Sequence, residues 1–327
     1  MKILLVRVSS LGDVLHNLPV VADILRHHPH AQVDWVVEEG YVGLVKLNPH
    51  VRKVIPFALR RWKKGLRDAA VRAEVRGFFR ELRAERYDYV FDTQGLIKTG
   101  IVMAAARVRP GGQKIGLANG TEDSGYEGIS RIFHSRSIPV APRTHAVARG
   151  RQVVAAALGY TLDTAPDFGL PAPDHRQRPA WMPDSPYAVF FHGTARDAKK
   201  WPAAEWIALG RALAPLPVLL PWGSAREKEE AELLAASLPH ATVLPKLPLM
   251  DAVTLARGAL LAVGVDTGLT HIAAAFLTPT VELYVDSPRW KTEGNWSPRI
   301  VNLGDTGRPP RSDDVIAAAL RLLEATT

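Results

Sequence analysis

The sequence predicts an α/β protein of two domains, each built from a parallel sheet with flanking helices. Three observations predict it. The chain has 327 residues, about the length of two ordinary domains, and 47% of them are hydrophobic, enough for two cores. Strand-like apolar runs alternate with helical patterns along its length, which is typical of right-handed βαβ units. Between two such series, the segment 170–186 holds five prolines and little apolar periodicity, which indicates a linker.

In the first series, short β-branched runs and longer amphipathic stretches follow one another in regular order. The predicted strands are 2–8, 32–37, 51–55, 88–93 and 113–116. The predicted helices are 14–28, 40–47, 66–86, 96–107 and 144–158.

The second series repeats the pattern and ends in a helix. Strands are predicted at 187–192, 217–221, 241–244, 259–265 and 280–285, and helices at 202–213, 225–237, 249–257, 268–276 and 312–325. Asp313 and Asp314 suit the first turn of the last helix. The expected domains are 1–170 and 187–311, joined by a linker at 171–186. We expect the final segment, 312–327, to pack back on the first domain.

The composition excludes several classes of protein. The chain has no cysteine, so disulfides, thiolate metal sites and a cysteine nucleophile are excluded. Lys2 precedes a short apolar run, but Arg7 and Asp13 interrupt it too early for a signal peptide. No apolar stretch approaches the ~20 residues that a membrane span needs. We therefore expect a soluble cytoplasmic protein.

The positive charge is concentrated in one segment. The formal net charge is +8, and the range 60–86 contains ten basic and four acidic residues. From Arg67 onward the pattern is an amphipathic helix, where charges most simply form a solvated face. The run Arg60-Arg61-Trp62-Lys63-Lys64 lacks acidic partners nearby in the sequence, and we predict a loop there. Such a patch suits nucleic acid, anionic lipid or a phosphorylated ligand.

The first strand leads into a candidate site. Its apolar run passes into the polar turn Ser9-Ser10-Leu11-Gly12, and Asp13 follows at the start of a helical pattern. In an open α/β sheet, the crevice at the carboxyl end of a strand is where ligands bind. A carboxylate there is either a helix cap or a catalyst, and the local sequence leaves both open.

The second series carries candidate phosphate sites. The loop within 190–202 offers a hydroxyl and cations that could hold an anion. The strand ending at Val265 runs into Asp266-Thr267-Gly268-Leu269-Thr270-His271, where free N–H groups of a helix start could hold a diphosphate. Asp266 or Thr267 could equally be the N-cap. Glu227 is either a ribose ligand or an ordinary first-turn acid.

Four segments in this order resemble the lipopolysaccharide heptosyltransferases, glycosyltransferase family 9: Arg7–His16, Gln94–Lys98, Lys199–Pro202 and Asp266–His271. The resemblance covers essentially the whole chain. It implies the GT-B fold, in which two Rossmann-like domains face each other across a cleft. The basic run at 60–64 is similar to that of the members that add the first heptose.

The resemblance also implies a reaction. L-glycero-D-manno-heptose would pass from ADP-heptose to the first Kdo of Kdo2-lipid A, with inversion at the anomeric carbon and Asp13 as general base. The implied acceptor-binding residues lie in the first domain: Ser10, Gly12, Arg60, Arg61, Lys63, Lys64, Gln94 and Lys98.

The implied donor-binding residues lie in the second domain: Thr194, Lys199, Glu227, Asp266, Thr267, Gly268 and His271. Two positions depart from the family pattern. Ala195 stands where a second hydroxyl residue is expected, and Val285 stands where a glycine is expected after Tyr284.

The sequence also gives expectations about cofactors, cellular location and alternative functions. No Asp-x-Asp motif is present, so we predict no obligatory metal or cofactor and leave open whether a divalent ion stimulates. We expect peripheral contact with the cytoplasmic face of the anionic inner membrane, and no nucleic acid partner. One alternative is a non-catalytic binder of anionic lipid or nucleic acid that uses the 60–64 run. A dinucleotide oxidoreductase is disfavoured because the first loop lacks Gly-x-Gly-x-x-Gly.

Overall fold

The computed structural model describes residues 1–172, 179 and 181–325, which fall into two units, Met1–Pro171 and Ala172–Thr327. Each unit contains one six-stranded sheet, and all strand pairs within the two sheets are parallel. The predicted α/β class with two parallel sheets is confirmed. The predicted linker at 171–186 lies partly outside the described residues.

The sheet of the first unit has the order β3-β2-β1-β4-β5-β6. Its central strand, β1, is almost entirely buried apolar side chains, as expected of a strand covered on both faces. The strands are β1 Lys2–Val6, β2 Gln32–Glu38, β3 Val51–Phe57, β4 Arg86–Asp92, β5 Arg107–Leu117 and β6 Arg136–Ile138. The short edge strand β6 was not among the predicted strands.

Seven α-helices are described in the first unit, and one of the predicted helices is divided. The helix expected at 14–28 is two helices, because Pro19 has no amide hydrogen and starts a new one. The helix expected at 66–86 is preceded by a separate short helix. The helices are α1 Leu11–His16, α2 Pro19–His27, α3 Val42–Lys46, α4 Leu59–Gly65, α5 Ala69–Leu82, α6 Ile97–Ala105 and α7 Ala146–Leu158.

The sheet of the second unit has the order β12-β11-β10-β7-β8-β9. Strand β12 had not been predicted. The strands are β7 Ala188–Phe191, β8 Val218–Leu220, β9 Ala241–Val243, β10 Leu261–Val265, β11 Thr280–Tyr284 and β12 Ile300–Gly304. The helices are α8 Ala203–Leu213, α9 Ala225–Ala236, α10 Leu249–Gly258, α11 Gly268–Ala275 and α12 Ser312–Glu324.

The C-terminal helix packs on the second unit, so the expectation that it packs on the first domain is wrong. Its apolar stripe of Val315, Ala318, Ala319 and Leu322 belongs to the core of the second unit, together with Trp206 of α8. Side chains at this spacing share one face of a helix, and that face is covered by the unit's own sheet and α8.

Strand order determines which loops meet. In the first sheet, β1 lies between β2 and β4, so the loops after these three strands are neighbours at one edge. In the second sheet, β10 lies between β7 and β11. None of the described helices is long and apolar enough to cross a bilayer.

Candidate functional site

Asp13 follows β1 in the first turn of α1 and is held by two arginines and by Ser10. Its Oδ1 accepts hydrogen bonds from Arg7 Nη2 and from Arg149 Nη2, the latter at 3.2 Å. Its Oδ2 accepts from the Ser10 amide at 3.1 Å and from Ser10 Oγ at 2.9 Å. The Asp13 side chain is nevertheless 35% exposed, while those of Arg7 and Arg149 are 5% and 6% exposed. The carboxylate is therefore fixed in position and still accessible to a ligand.

The pKa of Asp13 reflects two opposing effects. Burial by itself would raise it, but the guanidinium groups of Arg7 and Arg149 and the hydrogen bonds from Ser10 lower it far below the ordinary value for aspartate. Asp13 is therefore ionised at neutral pH. The bond from the Ser10 amide is also a helix-capping contact. The capping alternative is therefore observed, and the catalytic alternative stays a prediction that an accessible, ionised carboxylate permits.

Gln94 and Lys98 lie beside the Asp13 loop because β4 pairs with β1. Gln94 Oε1 accepts the Val8 amide at 3.0 Å, and Lys98 Nζ donates to Ser9 Oγ at 2.8 Å. Gln94 is buried and holds the segment that follows β1. Burial lowers the pKa of Lys98, an effect partly opposed by the Glu38 carboxylate. These contacts bring together Ser10, Asp13, Gln94 and Lys98 from the predicted set, with Gly12 in the same turn.

Glu38 belongs to this cluster, although the sequence analysis did not identify it. It ends β2, next to β1, and its carboxylate accepts the Arg60 backbone amide. Burial raises its pKa, and the charges of Arg60 and Lys98 partly oppose this. The sequence signal that could have identified Glu38 is an acidic residue at the carboxyl end of an apolar strand.

The basic run expected as a loop forms α4 instead. Trp62 is buried, and its ring contacts Phe57 and Phe78 at centroid distances of 5.5 and 5.4 Å. This packing anchors one side of the helix. The prediction of a loop was wrong because the run of cations obscured a single buried aromatic residue that orients the segment.

Arg61 differs from the other cations of α4. Its guanidinium forms ion pairs with Glu39 at 2.9 Å and Glu74 at 2.7 Å, two partners distant in sequence. In the part of the chain that the structure describes, no carboxylate oxygen lies within 4.0 Å of the charged atoms of Arg60, Lys63 or Lys64. Arg61 is thus held in two ion pairs, and its predicted acceptor contact stays a prediction, as do those of the other three cations.

In the second unit, Asp266 follows β10 and joins Lys199 to His271. Asp266 Oδ2 accepts from Lys199 Nζ, and Oδ1 contacts His271 Nε2 at 3.0 Å and Thr292 Oγ1 at 3.2 Å. Thr267 is the N-cap residue of α11. Thr267 therefore occupies the cap position and the Asp266 carboxylate forms ion pairs, while the ligand role of this segment stays a prediction.

Glu282 completes the cluster from the neighbouring strand β11. Its Oε1 contacts His271 Nδ1 at 2.9 Å, and its Oε2 accepts from Tyr284 OH at 3.0 Å and the Gly294 amide at 2.8 Å. The Glu282 side chain is fully buried. The sequence analysis missed it, although a lone carboxylate in the apolar strand Thr280–Tyr284 requires a buried partner.

His271 is protonated in this setting. Burial alone would lower its pKa, but the Glu282 and Asp266 carboxylates raise it to about 10. The pKa of Asp266 is correspondingly lowered far below its ordinary range: burial would raise it, but His271 and Lys199 outweigh that effect. The four side chains, Lys199, Asp266, His271 and Glu282, are called the Asp266 cluster below.

Glu227 closes the first turn of α9. Its Oε2 accepts the amides of Gly223 and Ser224 at 2.6 and 3.1 Å, and its own amide donates to Ser224 Oγ at 3.3 Å, which is a capping box. Its side chain also lies against the loop after β7, because a Cβ at Gly193 would be 2.8 Å from the Glu227 carboxyl carbon. Thr194 follows in that loop and is half-buried.

Comparisons with known proteins identify the family of the chain. Residues 75–315 match the model of glycosyltransferase family 9 (heptosyltransferase). The chain is 42% identical to lipopolysaccharide heptosyltransferase 1 of Pseudomonas aeruginosa, over 87% of this chain and 78% of that protein.

Solved structures of a relative cover the full length of both chains. The E. coli heptosyltransferase WaaC with ADP is 31% identical, with a TM-score of 0.83, and the same enzyme with ADP-2-deoxy-2-fluoro heptose is 33% identical, with a TM-score of 0.78. The family model spans well over half of the chain, and the residues it matches include the Asp266 cluster. The chain belongs to glycosyltransferase family 9, the heptosyltransferases, and is a glycosyltransferase.

Proposed function

We propose that the protein transfers L-glycero-D-manno-heptose from ADP-heptose to the first Kdo of Kdo2-lipid A, with inversion, in assembly of the lipopolysaccharide inner core. The observation that carries the proposal is Asp13, an ionised and accessible carboxylate at a strand end in a family 9 chain. The Pseudomonas relative is named a lipopolysaccharide heptosyltransferase, and the E. coli relative was solved with an ADP-heptose analogue. Family membership disfavours the non-catalytic alternative.

In the proposed reaction, Asp13 accepts the proton of the acceptor hydroxyl. The hydroxyl oxygen forms a bond to the anomeric carbon of heptose while the bond from that carbon to the ADP phosphate oxygen breaks. Arg7 and Arg149 keep the carboxylate ionised, which ensures that it can accept a proton but lowers its proton affinity. General base catalysis typically contributes about 100- to 10,000-fold.

On the donor side, Lys199 and the start of α11 at Thr267-Gly268 would stabilise the charge that develops on the departing diphosphate. Asp266, with His271 behind it, orients the Lys199 ammonium group. Thr194 would contact phosphate from the loop after β7. Glu227, which lies against that loop, would accept hydrogen bonds from the ribose hydroxyls.

On the acceptor side, Arg60, Lys63 and Lys64 would contact the acceptor phosphates. The same cations would attract the protein to the anionic surface of the inner membrane. Each cation near the surface would contribute about 1 kcal/mol to the free energy of binding. This supports a protein peripheral to the cytoplasmic face of the membrane. No step of the proposed reaction requires a metal ion, and stimulation by a divalent ion stays a prediction to be measured.

The Asp13→Asn variant should bind ADP with a dissociation constant within about twofold of wild type and lose at least about 100-fold in turnover, because it keeps one oxygen that accepts from the arginines but cannot serve as the base. Turnover is measured as ADP release from ADP-heptose with Kdo2-lipid A, and ADP affinity by calorimetry. Asp163→Asn, at an exposed position, is the control. Near-normal turnover of Asp13→Asn would refute the base assignment.

Replacing Arg60, Lys63 and Lys64 together by Gln should raise the KM for Kdo2-lipid A about tenfold or more at low salt, with little change in the KM for ADP-heptose. The physical reason is the loss of three unpaired positive charges at the acceptor side. The matched control replaces Arg67, Arg76 and Arg80, three exposed arginines nearby, and removes the same charge. An equal rise in the control would mean that only overall charge matters.

Glu282→Gln should lower the pKa of His271 from about 10 toward its ordinary value. In the variant, the Asp266 carboxylate alone opposes the effect of burial, which lowers the pKa. A histidine whose pKa is raised on folding stabilises the protein fully below the ordinary value near 6.5, and that stabilisation is lost as pH rises to about 10. The wild-type free energy of unfolding should therefore fall across this window by up to about 1.4 kcal/mol per pH unit from this group.

The substitution should accordingly cost most near pH 6.5 and progressively less toward pH 10. Urea denaturation at several pH values gives the stability difference, and NMR of the His271 ring gives its titration. Glu232→Gln, in an exposed i,i+4 pair on α9, is the control. A pH-independent cost would show that His271 is not charged through Glu282.

A further inference from the structure

An apolar groove of about 590 Å³ lies in the first unit among the end of β3 and helices α4, α5 and α6. The volume is within the range of small-molecule sites. Phe57 and Trp62 form a recessed floor, each only 6% exposed, and Val75 and Phe79 of α5 also line it. None of these residues was assigned a role in the sequence analysis.

Two isoleucines of α6 line the groove and are left partly open to water. Ile97 is 41% exposed and Ile101, one turn later, is 48% exposed. Single exposed apolar residues are common on protein surfaces, but several that line one concavity indicate a site for a partner or ligand.

Charge at the rim of the groove indicates the kind of ligand. Lys63 of α4 and Lys98 of α6 both line it. Glu127 is the acidic residue there, and its carboxylate is engaged by the Ile97 amide at 2.6 Å. An apolar floor beneath two cations complements a molecule with an apolar chain and an anionic group.

Lys98 connects the groove with the candidate active site. Lys98, which lines the groove, donates from its Nζ to Ser9 Oγ at 2.8 Å, in the loop that leads to Asp13. A ligand whose sugar is at Asp13 and whose anionic group is at Lys98 would have its apolar part directed into the groove.

We propose that this groove binds one acyl chain of the lipid acceptor, with Lys63 and Lys98 at its rim contacting an anionic group of the same molecule. The inference rests on the proposed function for the identity of the acceptor. A recessed concave floor suits a single chain, whereas a helix that lies on a bilayer presents a convex apolar face.

The first test compares acceptor KM values for Kdo2-lipid A and for the same sugar phosphate with all acyl chains removed. The wild type should prefer the acylated acceptor. The double variant Ile97→Ser, Ile101→Ser should reduce that preference about tenfold, with the KM for ADP-heptose unchanged. The control is Leu233→Ser, Leu320→Ser, which alters two exposed leucines of the second unit. An undiminished preference in the Ile97, Ile101 variant would overturn the proposal.

A second test separates this proposal from the proposed function. Calorimetry with dodecyl phosphate below its micelle concentration should show binding that is weaker in the Ile97, Ile101 variant, while inorganic phosphate binds both proteins equally. Dodecyl phosphate binding without heptose transfer would support the groove and count against the proposed function. Heptose transfer without dodecyl phosphate binding or acyl preference would overturn the groove alone.

Binding to vesicles of anionic phospholipid that contain no acceptor tests whether the two isoleucines contact a bilayer instead of an acyl chain of the acceptor. The groove proposal expects the Ile97, Ile101 variant and the leucine control to bind these vesicles equally. If the variant loses vesicle binding and keeps its acyl preference, the isoleucines contact the bilayer and the acyl-chain proposal is wrong.

Discussion

The requirement that a buried charge be paired determines how the Asp266 cluster is built. Glu282 is fully buried in β11, where a lone carboxylate would be strongly unfavourable. The parallel register sets Glu282 opposite Gly264 of β10, and the helix that follows β10 brings His271 against its carboxylate. The second ring nitrogen then meets Asp266, whose other oxygen pairs with Lys199. Two neighbouring strands, one helix and one loop are thus tied together by alternating charges.

The same pairing in the first unit gives a different result because the carboxylate there remains accessible. Asp13 lies against two buried arginines, and its pKa, like that of Asp266, is lowered. Its side chain is 35% exposed, however, whereas that of Asp266 is 10% exposed. A carboxylate with all its partners supplied by the protein acts as a scaffold. A carboxylate with the same charge and a solvent-exposed side can contact a substrate hydroxyl.

Sequence reasoning succeeded where the signal was local and failed where partners were distant. The turn before Asp13 and the Asp266 motif each lie within a few residues of a strand end, and the structure has both loops there. Arg149 is 136 residues from Asp13, and no local pattern couples them. The packing of α12 was mispredicted for a related reason. The amphipathic pattern of α12 indicated an apolar face but not which core would cover it.

The α4 segment shows how charge and packing act through one element. In the sequence it is a run of four cations around a tryptophan, and no local feature distinguishes one cation from another. Trp62 packs inward, which turns Arg61 toward the Glu39 and Glu74 carboxylates and leaves Lys63 at the groove. The tryptophan that orients the cations is therefore also part of the apolar floor. A helix built this way would join anion recognition to apolar recognition, the combination that the proposed acylated, phosphorylated acceptor requires.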